Sequence, residues 1–308
     1  MADGVKKSEK IWLDGRLVAW DDARVPILTH SLHYGLGVFE GIRCYAQKDG
    51  RSAVFRLREH VQRLYDSAHI CLLEIPFAKA DLVAACLEIL RVNKMTEGYL
   101  RPIAFLGDGA MGLGAVNPIR VSISCWPWAA YLGEEGLKRG IRAKVSSLTR
   151  PSVNAGMAKG KITGQYVNSV LAKREAVLAG YDEAILLDAQ GLVAEGSGEN
   201  VFMVKDGVLF TPPLTSPILP GVTRDTVLRL ARDKEIPVEE RTFTRDALYT
   251  ADEVFFSGTA AEITPCREVD NRQVGAGLPG PVTRQIQELY KQVTRGEQAR
   301  YHEWLTFL

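Results

Sequence analysis

Apolar residues along the chain recur at two spacings, and each spacing implies a kind of element. Between 58 and 70 the side chains Val61, Leu64, Tyr65 and Ala68 fall three and four apart, on one face of a helix. Between 79 and 92 Leu82, Val83, Cys86, Ile89 and Leu90 repeat that spacing and predict a second helix. Residues 99–106 and 119–126 are instead rich in branched and aromatic side chains, which suit a pleated, half-buried surface and predict strands. Near the start, apolar runs at 11–13 and 17–20 flank Asp14 and Gly15, a turn that predicts a hairpin.

Past residue 126 the pattern changes. Residues 126–138, with Pro127, Trp128, Tyr131 and Gly133, carry no period and read as a connection. Beyond them a strand is predicted at 141–147 and a helix at 163–179. Short strands at 183–187, 192–194, 200–204 and 208–211 follow through tight turns, and a helix at 223–234 and a strand at 253–256 come after. Neighbouring strands mixed with helices indicate an α+β fold, not the regular alternation of a doubly wound sheet. At 308 residues the chain exceeds what one core usually supports, so two domains are expected: a small N-terminal one over 1–125, an interdomain loop over 126–138, and a larger C-terminal one over 139–308.

Composition narrows the function classes. Lys and Arg number 38 against 37 Asp and Glu, a net charge of +1, with 46% hydrophobic and 24% charged residues. So even a balance argues against a nucleic-acid or anionic-membrane surface, which calls for a basic excess, but leaves room for a small anion held by local cations. The five cysteines are scattered without a C-x-x-C pair, and His30 and His33 have no acidic or thiol partner at ligand spacing. Neither a disulfide framework nor a metal site is expected. The polar amino-terminal stretch holds no signal core and no apolar run approaches the roughly 18 residues of a membrane span. A cytoplasmic protein is the expectation.

Several glycine-bearing segments carry candidate chemistry, and each alone has an ordinary reading. Gly107, Gly109 and Gly112 spell G-x-G-x-x-G, but they lead through Pro118 to another strand and not into a helix. That sets aside a dinucleotide fingerprint in favour of a ligand-side loop. Lys159 and Lys161 lie in a Gly-rich approach to a helix, open enough for a carbonyl cofactor to reach, and on these grounds the two compete. Glu195 and Glu199 share a tight turn with Gly196 and Gly198, where the backbone can pass close to a flat ring and an acid can pair with a heterocyclic N–H. Gly221, Val222 and Thr223 open a helix, whose N–H groups, dipole and hydroxyl can seat a phosphate. Ser257, Gly258 and Thr259 offer a similar seat at a strand end. A lysine, an acid and two anion seats together match what pyridoxal phosphate requires of a protein.

In this order and spacing these segments resemble the branched-chain aminotransferases of fold type IV among the pyridoxal-phosphate enzymes, nearly end to end. The likeness is carried also by His33, Tyr34 and Gly35, by Val38 through Arg43, by Arg58 through Leu64, and by Tyr99, Leu100, Arg101 and Pro102. The resemblance implies a small N-terminal α/β domain and a larger C-terminal domain built on a β-barrel-like sheet. It implies that Lys161, five residues before Tyr166, is the Schiff-base lysine, which decides against Lys159. Tyr166 falls at the cofactor's phenolic oxygen, Glu195 at the pyridine nitrogen with Glu199 in support, and Arg63, Val222, Thr223 and Thr259 at the phosphate. Tyr34, Phe39, Arg43, Tyr99, Arg101, Met111, Tyr131, Thr259 and Ala260 match substrate positions, with Tyr34 and the Met111 loop reaching partly into a second subunit. Gln165 departs from the Asn that many relatives carry.

The implied activity is transamination between branched-chain L-amino acids (leucine, isoleucine, valine) and 2-oxoglutarate, giving branched 2-oxo acids and L-glutamate. The implied assembly is a homodimer with active sites at its interface, able to associate further to a hexamer. Lys161 would be both anchor and proton carrier, and Arg101, an always-charged donor fork, would accept glutamate's extra carboxylate in an otherwise apolar pocket. A D-amino-acid or (R)-amine transaminase, an aminodeoxychorismate lyase, and a non-catalytic binding protein on the same scaffold stand as alternatives.

Overall fold

The computed structural model describes residues 4–128 and 133–308; Tyr131 lies outside them. The described residues form two compact units that interleave along the chain: 4–128 with 160–165 and 293–308, and 133–159 with 166–292. The expected boundaries are thereby redrawn. Residues 160–165 and 293–308 belong to the first unit, not to one continuous second domain, because each pairs with its strands. Ile162 bridges Val38, and the C-terminal strand Leu305–Phe307 pairs with the strand at 52–55. Part of the expected connection is helical, at Gly133–Arg139.

In the first unit the hairpin strands β1 (Lys10–Leu13) and β2 (Arg16–Ala19) precede a short helix α1 (His30–Tyr34) and strands β3 (Gly37–Phe39), β4 (Ile42–Ala46) and β5 (Ser52–Phe55). Helices α2 (Leu57–Ile70) and α3 (Lys79–Val92) and the long strands β6 (Gly98–Leu106) and β7 (Ile119–Trp126) follow. The sheet is antiparallel and runs from the C-terminal strand through β5, β4, β6, β7 and β1 to β2, with β3 on β6. The apolar faces of α2 and α3 end where their spacing places them: Val61, Leu64, Ala68, Leu82, Cys86, Ile89 and Leu90 are buried against Ile42, Leu100, Val121 and Ile123 of the sheet. Burial of each such leucine or isoleucine contributes about 1.5–3 kcal/mol.

The second unit contains α4 (Gly133–Arg139), β8 (Ile141–Thr149), α5 (Val153–Gly156), α6 (Tyr166–Leu178), β9 (Glu183–Leu187), β10 (Val193–Gly196), β11 (Asn200–Lys205) and β12 (Val208–Thr211). It continues with α7 (Val222–Asp233), β13 (Val238–Glu240), α8 (Arg245–Tyr249), β14 (Glu253–Gly258), β15 (Glu262–Val269), β16 (Arg272–Gln273) and α9 (Pro281–Thr294), whose last residues belong to the first unit. Its mixed sheet has the order β10-β9-β8-β15-β14-β11-β12-β13, with β8 parallel to both of its neighbours. The α+β class follows from these two sheets. The helix expected at 163–179 begins as a 3-10 turn at Thr163–Gln165 before α6. The cause is local: Gly164 is drawn onto Gly35, its N–H donating to the Gly35 carbonyl at 3.0 Å, and Gln165 N–H closes on Ile162 O at 3.2 Å. Gly35 has φ 70°, and a Cβ there would come 2.9 Å from the Gly164 Cα, so only glycine fits.

Candidate active site

The first unit holds the lysine segment. Lys161 is fixed through its backbone: its N–H donates to Ser67 Oγ at 2.9 Å, and its carbonyl accepts from Phe39 N–H at 3.1 Å. Ser67 in turn donates to the Arg63 carbonyl one turn earlier on α2. The backbone of the segment is therefore anchored on α2 and on Phe39. Its Nζ lies 4.9 Å from the centroid of the Phe39 ring.

On the same ring sits a second cation. The Arg101 guanidinium lies 4.9 Å from the Phe39 centroid, 5.4 Å from Tyr99 and 5.7 Å from Trp126. Tyr99 stacks on Trp128 at 4.7 Å and tilts against Trp126 at 5.3 Å, so a half-buried charge is enclosed by aromatic faces. It makes no ion pair or hydrogen bond among the described residues. Arg43 lies 3.8 Å from Glu97 and 4.9 Å from the Tyr45 centroid.

Arg63 is held by Glu40, a residue not singled out from the sequence. Glu40 is fully buried and accepts from Arg63 Nε at 2.7 Å, Arg63 Nη2 at 2.9 Å and His60 Nδ1 at 2.7 Å. Burial alone would push this carboxyl up, but the charges and hydrogen bonds of Arg63 and His60 outweigh it and hold Glu40 well below the usual carboxylate range. Burial likewise lowers the His60 imidazole, against the pull of Glu40. A two-point ion pair of this kind fixes the plane of the guanidinium.

In the second unit Glu195 is buried on β10 and accepts from both side chains and backbone. Arg150 Nη2 reaches Oε1 at 2.9 Å, while Asn200 Nδ2 at 3.2 Å and Leu219 N–H at 3.0 Å reach Oε2. Asn200 also donates to the Leu219 carbonyl at 3.0 Å. A Cβ on Gly221 would collide with Asn200 Oδ1, so the start of α7 can sit against this carboxylate only with glycine at its N-cap. That N-cap offers no side chain to the helix, whose first residues are Val222 and the buried Thr223. Thr259 and Ala260 lie in the turn between β14 and β15. Lys159 donates Nζ to the carbonyls of Ser216 and Ile218 at 2.9 and 3.0 Å, a structural use of the competing lysine.

A second acid lies beside this one. Glu199 is buried and accepts from Gly198 N–H at 3.1 Å, while Glu183 takes Lys173 Nζ at 2.6 Å and a hydrogen bond from the Ser197 hydroxyl. Burial, and then the Glu183 carboxylate, push Glu199 up to about 8.

Comparison with known proteins now bears on this arrangement. The family model for class IV amino-transferases matches residues 37–269. The chain belongs to the class IV aminotransferases. It is 48% identical to the branched-chain-amino-acid aminotransferase of Pseudomonas aeruginosa, over 97% of each chain. The crystal structure of the Escherichia coli branched-chain amino acid aminotransferase superposes with a TM-score of 0.95 at 48% identity, covering 97% of this chain and 99% of that one. The T.th. branched-chain amino acid aminotransferase complexed with N-(5'-phosphopyridoxyl)-L-glutamate superposes with a TM-score of 0.93 at 45% identity, covering 98% and 99%. The fold is that of the fold type IV aminotransferases.

Within this aminotransferase the structure brings Lys161, Phe39, Tyr99 and Arg101 together in one unit, and Glu195, Glu199, Asn200 and the start of α7 in the other. Tyr34 and Met111 are exposed, on α1 and on the 107–118 loop. That loop opens no helix; His30 Nε2 donates to Gly112 O at 2.8 Å and Asn117 closes it onto Gly107 and Ala110. His33 Nε2 likewise donates to Ile27 O at 2.9 Å. Glu40, His60 and Arg150 were not found from the sequence, because each acts on a side chain 20 or more residues away and leaves no local spacing. Asn200 lies five residues from Glu195, in the glycine turn already read, but carried no role there.

Glu199 gives the aminotransferase a pH-dependent stability. With its carboxyl raised from 4.5 to about 8, the folded state binds a proton that the unfolded state has released. The stability this contributes is present below the ordinary carboxylate range and is lost as pH rises toward 8. Glu199→Gln, neutral throughout, is expected to match the wild type in thermal melts at pH 5. Its advantage should then widen by up to about 1.4 kcal/mol per pH unit toward pH 8. A constant gap across that range would refute this assignment.

Proposed function

We propose that this aminotransferase moves the amino group between the branched-chain L-amino acids leucine, isoleucine and valine and 2-oxoglutarate, with pyridoxal 5'-phosphate as cofactor. The observation that carries the paired substrates is Arg101, a charge inside an aromatic cage with no ion partner among the described residues. Such a charge is costly unless a counter-ion arrives, and a substrate's second carboxylate supplies one. The same aromatic walls suit a branched apolar side chain. The relative bound to a phosphopyridoxyl-glutamate supports this reading.

The donor set fits the cofactor. Glu195 is a buried carboxyl paired with Arg150, suited to a ring N–H, and the glycine-capped start of α7 suits a phosphate. When bound, pyridoxal phosphate supplies an electron-accepting ring that acidifies the substrate's α-carbon. Lys161 would anchor it and carry the α-proton on Nζ. Glu195 would keep a proton on the ring nitrogen, with Asn200 and the Leu219 N–H keeping the carboxylate oriented and Glu199 in support. Tyr166 would meet the phenolic oxygen, and Arg63, Val222, Thr223 and Thr259 the phosphate. Tyr34, Phe39, Arg43, Tyr99, Arg101, Met111, Tyr131, Thr259 and Ala260 would line the substrate.

Leu32, Leu113 and Val116 are 60, 88 and 96% exposed around Tyr34 and Met111, an apolar surface that supports a homodimer completing each site with these residues. Five free thiols support a cytoplasmic setting, and among the described residues no helix is long and apolar enough to cross a membrane. The test is a donor panel of L-valine, L-leucine, L-isoleucine, D-alanine and an (R)-aryl amine with 2-oxoglutarate. Glutamate should form from the three branched L-amino acids at kcat/KM values at least about tenfold above the others, a difference of about 1.4 kcal/mol in transition-state binding. Preference for D-alanine or the amine would reassign the substrate class.

A further inference from the structure

Trp126 ends β7 opposite Tyr99, and its indole is one wall of the cage around Arg101. The residue is 9% exposed, and its buried Nε1 has no hydrogen-bond partner among the described residues. An indole N–H can only donate, and buried tryptophans normally find an acceptor for it. The Arg101 Nε, in the same cage, is also buried and has no partner among the described residues. One neutral and one charged donor therefore share an enclosure lined by aromatic carbon. The ligand chemistry that satisfies both is a planar group with two acceptor oxygens and a negative charge, a carboxylate.

We propose that Trp126 Nε1 donates to the second carboxylate of the dicarboxylic substrate alongside Arg101, and so is a specificity residue for glutamate and 2-oxoglutarate. This rests on the reading of Arg101 as that carboxylate's seat. The two donors have different tasks. Arg101 supplies charge, which would attract an anion in many poses, whereas an indole N–H fixed on a strand end accepts only an oxygen placed along its bond. With a monocarboxylic branched substrate the indole presents its apolar ring and its donor stays unmade.

The test uses the cofactor-loaded enzyme with its five tryptophans 15N-labelled, the Trp126 indole signal being assigned from Trp126→Phe. Glutarate, a dicarboxylate with no amine or keto group, is expected to shift the Trp126 N–H signal downfield, and 4-methylvalerate to leave it in place. Trp126→Phe, which keeps the ring and removes the donor, is expected to lower kcat/KM for 2-oxoglutarate about tenfold or more relative to that for leucine, the usual effect of deleting a hydrogen bond to a charged group. If glutarate binds but the signal does not move, or the ratio stays within twofold, Trp126 is no carboxylate donor and the Arg101 seat stands alone. If glutarate fails to bind the wild-type enzyme, both fall. Should Trp126→Phe not fold, the wild-type signal still decides, assigned by elimination from single Phe variants of the other tryptophans.

Discussion

Lys161→Ala is expected to lower turnover by about 10,000-fold or more while leaving the fold intact. The size follows from the role: the same amine would anchor the cofactor and carry the α-proton, so its loss removes covalent and proton-transfer catalysis together. The fold should survive because the segment's backbone is anchored through Ser67 Oγ and the Phe39 N–H, bonds that the substitution leaves in place. Steady-state assay and circular dichroism on one preparation check both halves. Lys159→Ala is the control. Its Nζ serves two carbonyls, so that variant should lose stability before turnover. Activity retained within tenfold in Lys161→Ala and abolished in Lys159→Ala would reverse the assignment.

Arg101→Leu is expected to lose about 100-fold or more in kcat/KM for 2-oxoglutarate and glutamate while leucine changes only a few-fold. A substrate carboxylate entering a cage of Phe39, Tyr99 and Trp126 would then be desolvated with no counter-charge, the situation that makes removal of one partner of a buried ion pair cost about 3–5 kcal/mol. The leucine side chain asks nothing of the guanidinium and can pack on the new methyl groups. Separate half-reactions with each substrate give the comparison. Equal losses would mean that Arg101 supports the pocket as a whole and does not read the carboxylate.

The parts of the fold legible in the sequence were those with a long local period. The faces of α2 and α3, the strands β6 and β7 and the hairpin β1–β2 all satisfy their apolar pattern within a single element. Strand β4 was not read, since four of its five residues are buried and it shows no alternation. The C-terminal strand is three residues long and owes its existence to its pairing with Ala53, Val54 and Phe55, near the other end of the chain. Helix α9 was legible and went unread: it opens on Pro281, and its buried Ile286, Leu289, Tyr290 and Val293 fall at helical spacing. The site divides the same way. Glycine turns and a helix start announced the acid and the anion seat, but the choice of Lys161 over Lys159 came from likeness to a family. The charges that hold Arg63 and Glu195 are contacts made only by the folded chain.

The most direct test of the lysine's role is borohydride reduction of the cofactor-loaded enzyme followed by peptide mass mapping. Reduction makes a reversible lysine–cofactor linkage permanent. The expected result is a phosphopyridoxyl group on Lys161 alone, with loss of the yellow absorbance and of activity. A label on Lys159 or another lysine, or no label on protein saturated with pyridoxal phosphate, would contradict it.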